Sequence, residues 1–180
     1  MVLIKSKISL IILLIGLSAF GWYQLDIQPM HLKQMEKKVN KYFKAFSPSL
    51  ESQDKWMLAN EGIGYRIPVL SKEDSTLGYL HYRKAAACNF GGCVDTTCDK
   101  GSIGFKEYIY YYAILDLDSN IQKLGILEYE SNYGYEISSQ AWLKQFYQQQ
   151  PGGFKLGKNV DGISGATVSV NAMIADLNSL

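Results

Sequence analysis

Charge is sparse in this chain, and neither sign prevails. Charged residues make up 19% of the 180, Lys and Arg number 18 against 17 Asp and Glu, and the net charge is +1. Without a basic cluster to track a phosphate backbone, nucleic acid is not an expected partner. Cysteine is nearly absent as well. Cys88, Cys93 and Cys98 are evenly spaced, with four residues between neighbours. There is no Cys-x-x-Cys-His, so attached haem is not indicated. The first interval fits one part of a plant-type ferredoxin pattern, but the second does not and a fourth cysteine is missing. In an oxidising compartment three such residues give one disulfide and one leftover thiol, in a pairing that the spacing leaves open. No general base, nucleophilic triad or metal-ligand cluster stands out, so no catalytic residue and no metal site is assigned. Internal repeats and low-complexity tracts are lacking too.

Apolar content is what the chain does have. Hydrophobic residues make up 47%, enough to bury a core. With about 150 residues per domain as a guide, one domain plus an appendage is expected. The appendage is N-terminal. Lys5 and Lys7 precede an uncharged apolar run from Ile8 to Tyr23. A full span needs about 20 apolar residues. Counting Val2 to Ile4, with the lysine side chains snorkelling to the headgroups, makes the segment sufficient. Trp22 and Tyr23 suit an aromatic belt at its far end. The small-x-small look of Ala19-Phe20-Gly21 keeps a cleaved signal peptide open as the alternative, and the uncleaved anchor over residues 1–24 is preferred. On either reading, the lysines before the run and Asp26 after it place the rest of the chain outside the cytoplasm. The expected location is a single pass through the cytoplasmic (inner) membrane, with the domain on the periplasmic or extracytoplasmic side.

Beyond the anchor, residues 25–50 hold Met35, Val39, Tyr42, Phe43 and Phe46 at helical spacing, which predicts an amphipathic linker helix over Pro29 to Phe46. His31 near its start reads as a solvated or capping residue rather than a ligand. Residues 51–180 form the expected globular domain. Gly62 to Leu70 and Leu77 to Lys84 read as strands joined by the polar turn Ser71 to Ser75, and Ala85 to Gly104 as a long irregular loop. Tyr108 to Asp116 has strong β propensity. The turn residues Asp118-Ser119-Asn120 and a second run from Ile121 to Tyr129 complete the clearest hairpin in the chain. A helix is expected from Ser138 or Ser139 to Gln149, closed by Pro151-Gly152-Gly153. The fold class is α+β, a twisted antiparallel sheet flanked by helices.

Near the C-terminus comes Asp161-Gly162-Ile163-Ser164-Gly165-Ala166-Thr167-Val168-Ser169. Small residues and hydroxyls are gathered there directly before Val170, Met173, Ile174 and Leu177, which fall on one helix face. Ser164 or Thr167 would sit at the helix N-terminus, where unpaired N–H groups and the helix dipole favour an anion. Gly162 and Gly165 let the backbone approach a phosphate closely. The residues by themselves support a phosphate site and no more, and an ordinary capped helix start with a Thr methyl in the core is the bland alternative. Thr167 is three residues before Val170 and seven before Ile174. That phase puts it on the apolar face, where a group on its hydroxyl would be held against the body of the domain.

Asp-Gly-Ile-Ser-Gly-Ala-Thr also resembles the acceptor motif of the FMN-binding domain family. Its members include the peripheral flavin subunits of the sodium-translocating NADH:quinone reductase and of the Rnf complex. The resemblance extends over Tyr108 to Leu180, less securely from Gly62, through the order hairpin, Glu-hydroxyl pair, aromatic helix, motif and last helix. It implies that a flavin transferase, using FAD, joins FMN to Thr167 through a phosphoester. Asp161, Ser164, Gly165 and Ala166 match the pattern around that residue, and Ser169 is expected to donate a further hydrogen bond. Asp161 would shape the turn that the transferase recognises and help to bind its metal. Where the family commonly has Glu-Thr-Pro-Gly-x-Gly, this chain has Glu130-Ser131-Asn132-Tyr133-Gly134-Tyr135. The Glu, the hydroxyl and one Gly remain but the Pro-Gly turn is missing, and Tyr133 and Tyr135 are candidates to stack on the isoalloxazine or merely to cover the hairpin. The function implied is a membrane-anchored electron carrier with covalent FMN, whose partners are the transferase, membrane redox subunits and, through its anchor, the lipid bilayer. The alternatives are a flavin-carrying module of a multi-subunit extracytoplasmic reductase, or a non-redox binding or assembly module that keeps the fold.

Overall fold

A computed structural model describes residues 27–43, 54–57, 63–88, 106–130 and 134–180. The expected anchor over 1–24, Ser131, Tyr133, Cys93 and Cys98 lie outside those residues. Among the described residues, five strands run in chain order across one antiparallel sheet: β1 (Asp54–Met57), β2 (Ile63–Leu70), β3 (Thr76–Cys88), β4 (Lys106–Leu115) and β5 (Ile121–Tyr129). The expected β4–β5 hairpin is present, turned at Asp116 to Asn120. There the Asp116 carboxylate accepts from the Asn120 backbone N–H at 2.8 Å, closing the turn across its own ends.

The alternation of strand side chains builds a core on each face of the sheet. Along β4, Ile109, Tyr111, Ala113 and Leu115 face one way, while Tyr110, Tyr112 and Ile114 face the other. Burial on both sides marks β4 as a central strand. The second face is covered by α1 (Pro29–Phe43), which lays Met35 and Val39 on Tyr65, Ile67, Val69, Leu80 and Tyr82. Burying side chains of that size stabilises by about 1.5–3 kcal/mol each. His31 occupies the turn before Met35, and the structure corrects its reading as a solvated residue. It is fully buried, with Nδ1 3.3 Å from the Tyr82 hydroxyl and Nε2 3.1 Å from a Glu128 carboxylate oxygen.

The first face carries the C-terminal part of the chain. A 3-10 turn (Tyr135–Ser138), the short α2 (Gln140–Leu143), a second 3-10 turn (Lys144–Phe146) and α3 (Thr167–Leu177) bring Ile137, Trp142, Leu143, Phe146, Val170, Met173, Ile174 and Leu177 onto it. The single helix expected from Ser138 or Ser139 to Gln149 is thus broken. Ser139 caps α2 by accepting from the Trp142 N–H at 3.2 Å, and Gln148 adopts φ 59. Beyond Phe146 the backbone turns to pair with β5, Gln148 donating to Ile121 at 2.8 Å and Ile121 to Gln149 at 3.0 Å. A second correction concerns Ala85 to Cys88, expected as loop. They continue β3, in register with Ile109 to Lys106.

Buried polar residues tie α3 to the sheet. Arg83, fully buried, donates through Nε and Nη2 to the two Asp176 carboxylate oxygens at 3.0 Å each, and through Nη2 to the Ser179 hydroxyl at 2.6 Å. The Tyr111 hydroxyl donates to the same carboxylate. Burial, with the Asp176 charge second, pushes the Tyr111 phenol well above its ordinary pKa. This is a fork-on-carboxylate pair whose guanidinium is fully buried and whose carboxylate is 10% exposed.

Candidate functional site

The motif is held from behind by its backbone. The Asp161 N–H donates to the Gln145 side-chain oxygen at 2.7 Å, and the Asp161 carbonyl accepts from the Trp142 indole N–H at 2.8 Å. Trp142 and Gln145 are three residues apart, so one turn of chain presents both. The Asp161 side chain stays exposed. Next, the Ala166 N–H donates to the Ile163 carbonyl at 3.1 Å, closing a turn over Ser164 and Gly165. Gly165 has φ 78 at the position where a type II turn requires a positive value. That is why a glycine stands there.

α3 starts immediately after this turn. Ala166 is its N-cap residue, its carbonyl accepts the Val170 N–H at 2.9 Å, and it supplies no side-chain cap. Thr167 is the first helical residue and is exposed, as are Ser164 and Gly165. This corrects the expectation that Thr167 lies against the body of the domain. Its helical phase matches Val170 and Ile174, but Ala166, only 4% exposed, is the residue that turns in. The Thr167 hydroxyl is therefore open to an incoming group. The first-turn N–H groups receive no side-chain oxygen from the cap position, and the positive end of the helix dipole stays available.

The end of β5 meets this helix start. Gly134 has φ 73, and a Cβ placed on it would come within 2.2 Å of the Ala166 Cβ. The Tyr129 hydroxyl donates to Ser169 Oγ at 2.8 Å. Ser169 is only 6% exposed and faces the sheet, so it does not stand beside the Thr167 hydroxyl on the open side. Tyr135, 61% exposed, packs edge-on against Tyr129 with ring centres 6.2 Å apart. Glu130 is turned to the sheet end, where its carboxylate accepts from the Tyr108 N–H at 2.9 Å.

The structure thus gathers Asp161, Ser164, Gly165, Ala166 and Thr167 at one helix start, with Gly134 and Tyr129 against it. It keeps the Glu130 carboxylate on a strand end. Tyr129, Trp142 and Gln145 are the supports that sequence reading did not single out. The i, i+3 spacing of Trp142 and Gln145 carries a local signal, whereas the reach of Tyr129 to Ser169 carries none.

These residues fit a phosphate-bearing group on Thr167: an exposed hydroxyl, a helix start with no side-chain cap, and a glycine turn that keeps side chains clear. Among the described residues no group of three or more His, Cys, Asp or Glu gathers to hold a metal ion, and no helix is long and apolar enough to cross a membrane. The chain has no significant match among curated proteins or among solved structures. The family model described as the FMN-binding domain matches residues 104–180, from just before β4 to Leu180. By that match, and by the agreement of its motif with the helix start just described, this C-terminal segment is similar to the FMN-binding domain family.

Proposed function

We propose that the chain is a membrane-anchored, extracytoplasmic electron-transfer protein carrying FMN through a phosphoester on Thr167. The observation that supports it best is the exposure of Thr167 as the first helical residue of α3, next to a turn shaped by Gly165. In this reading the first-turn backbone N–H groups of α3 face the phosphate, and Ser164 and Gly165 leave room for it. Ala166, locked on Gly134, fixes the direction of the helix start. The grip of Trp142 and Gln145 on the Asp161 backbone leaves the Asp161 carboxylate free for the transferase. Tyr135 offers an exposed ring, packed edge-on against Tyr129. FMN, once attached, supplies the one- and two-electron chemistry, while the protein sets its place and its surroundings. A phosphoester suits a compartment with little free flavin, because occupancy of a noncovalent site would follow mass action.

A flavin-carrying module of a larger extracytoplasmic reductase uses the same attachment and differs only in its neighbours. A non-redox assembly module would carry no flavin. Co-expression with a flavin transferase in the exported compartment, followed by denaturing electrophoresis, separates both flavin readings from the assembly module. The electron-carrier reading expects flavin fluorescence that survives denaturation. A colourless band from material matured beside an active transferase would leave only the assembly module.

A further inference from the structure

We propose that the outer ridge of α1, formed by Met30, Lys33, Lys37 and Lys41, docks on anionic phospholipid headgroups of the membrane that the N-terminal apolar run enters. The inference rests on the anchoring part of the reading above and is independent of the flavin. The buried residues of α1, His31, Met35 and Val39, recur every four positions and hold its inner side on the sheet. At about 100° per residue, Lys33, Lys37 and Lys41 repeat the same spacing on the opposite side, and all three are exposed. Met30, 57% exposed, lies on that ridge one turn before Lys33. Glu36 is the helix's one acid; it is partly buried and lies off the ridge.

The chain's reach is the second observation. Ile27 is buried in the same cluster as Met35 and Val39. Only Gln24, Leu25 and Asp26 separate it from Tyr23, where the apolar run ends. At roughly 3.5 Å per residue, that end lies within about 14 Å of Ile27 however the link is arranged. The start of α1 is thereby tied close to the bilayer. A lysine near an anionic surface gains about fivefold, so three aligned lysines favour the docked orientation by on the order of a hundredfold. Docked this way, α1 faces lipid, and α3 with Thr167, on the other face of the sheet, faces away from it.

The test uses the full chain in lipid nanodiscs, one set rich in phosphatidylglycerol and one of phosphatidylcholine alone. Lysines are acylated in a time course and read by peptide mass spectrometry. Lys33, Lys37 and Lys41 are expected to react roughly fivefold or more slowly in the anionic discs, and to recover at high salt. Lys155 and Lys158, exposed in the stretch between α2 and α3, should react alike in both. Met30 should be shielded from radical oxidation in anionic discs, and that shielding should vanish in the triple variant Lys33→Glu, Lys37→Glu, Lys41→Glu. Equal lysine rates in the two lipids, or Met30 shielding that survives the triple variant, would overturn the docking. A chain that does not stay with the discs would overturn anchor and docking together, leaving the flavin reading standing.

Discussion

The Gly134 backbone lies against the Ala166 methyl: a Cβ on the glycine would fall 2.2 Å from the alanine Cβ, and Gly134 already sits at φ 73. Through this contact the chain leaving β5 fixes where α3 begins, and so where Thr167 stands.

Gly134→Ala imposes both penalties, a strained backbone and a steric overlap. A loss of roughly 1–3 kcal/mol is expected, seen as a lower urea midpoint with an unchanged slope. Flavin attachment should fall as well, because the helix start is displaced. A variant as stable as the parent would mean that the contact is not so close in solution.

The Arg83–Asp176 pair makes a sharper case. Asp176→Ala leaves a buried guanidinium without its carboxylate and should cost about 3–5 kcal/mol. Replacing both partners, Arg83→Met with Asp176→Leu, should cost clearly less, since no charge is then stranded. A double variant as unstable as the single one would show that the network acts through shape and not charge.

These two contacts also show where the sequence is silent. The β4–β5 hairpin and α3 are legible, because strand alternation over Tyr108 to Tyr129 and the spacing of Val170, Met173, Ile174 and Leu177 are local signals, and the structure buries that helix face. Arg83 and Asp176 lie far apart in the chain, and nothing in their neighbourhoods names the other. Ala85 to Ala87 have little β propensity and become strand only because β4 offers a partner. Thr167 shows the limit of helical phase, which gives a direction around the axis but not how deep the first turn sits. His31 is legible in principle: it falls in step with Met35 and Val39, and that spacing places it on the buried face.

Acid should weaken the fold through its histidines. Burial, with Arg83 and Arg66 nearby, lowers the His81 pKa to about 3, and burial also lowers that of His31, against an opposing pull from Glu128. His81 takes up a proton near the ordinary value of 6.5 in the unfolded chain but only at about 3 in the folded one. Stability is therefore full above pH 6.5 and falls as pH drops below it, by roughly 1.4 kcal/mol per unit through His81, and His31 acts in the same direction. Urea midpoints at pH 7.5 and 5.5 should differ in that sense, and His81→Gln should flatten the difference. An unaltered difference in that variant would mean that His81 is free to protonate in the folded state.

The most direct test of the account is peptide mass spectrometry on protein matured beside a flavin transferase, comparing the parent with Thr167→Ala. Because Thr167 is exposed, the substitution should change stability by no more than about 0.5 kcal/mol, so lost flavin cannot be blamed on unfolding. The account expects added FMN mass on the parental peptide containing Thr167, and none anywhere in the variant. FMN still attached to Thr167→Ala, or a parental peptide of unmodified mass from fully matured material, would contradict it.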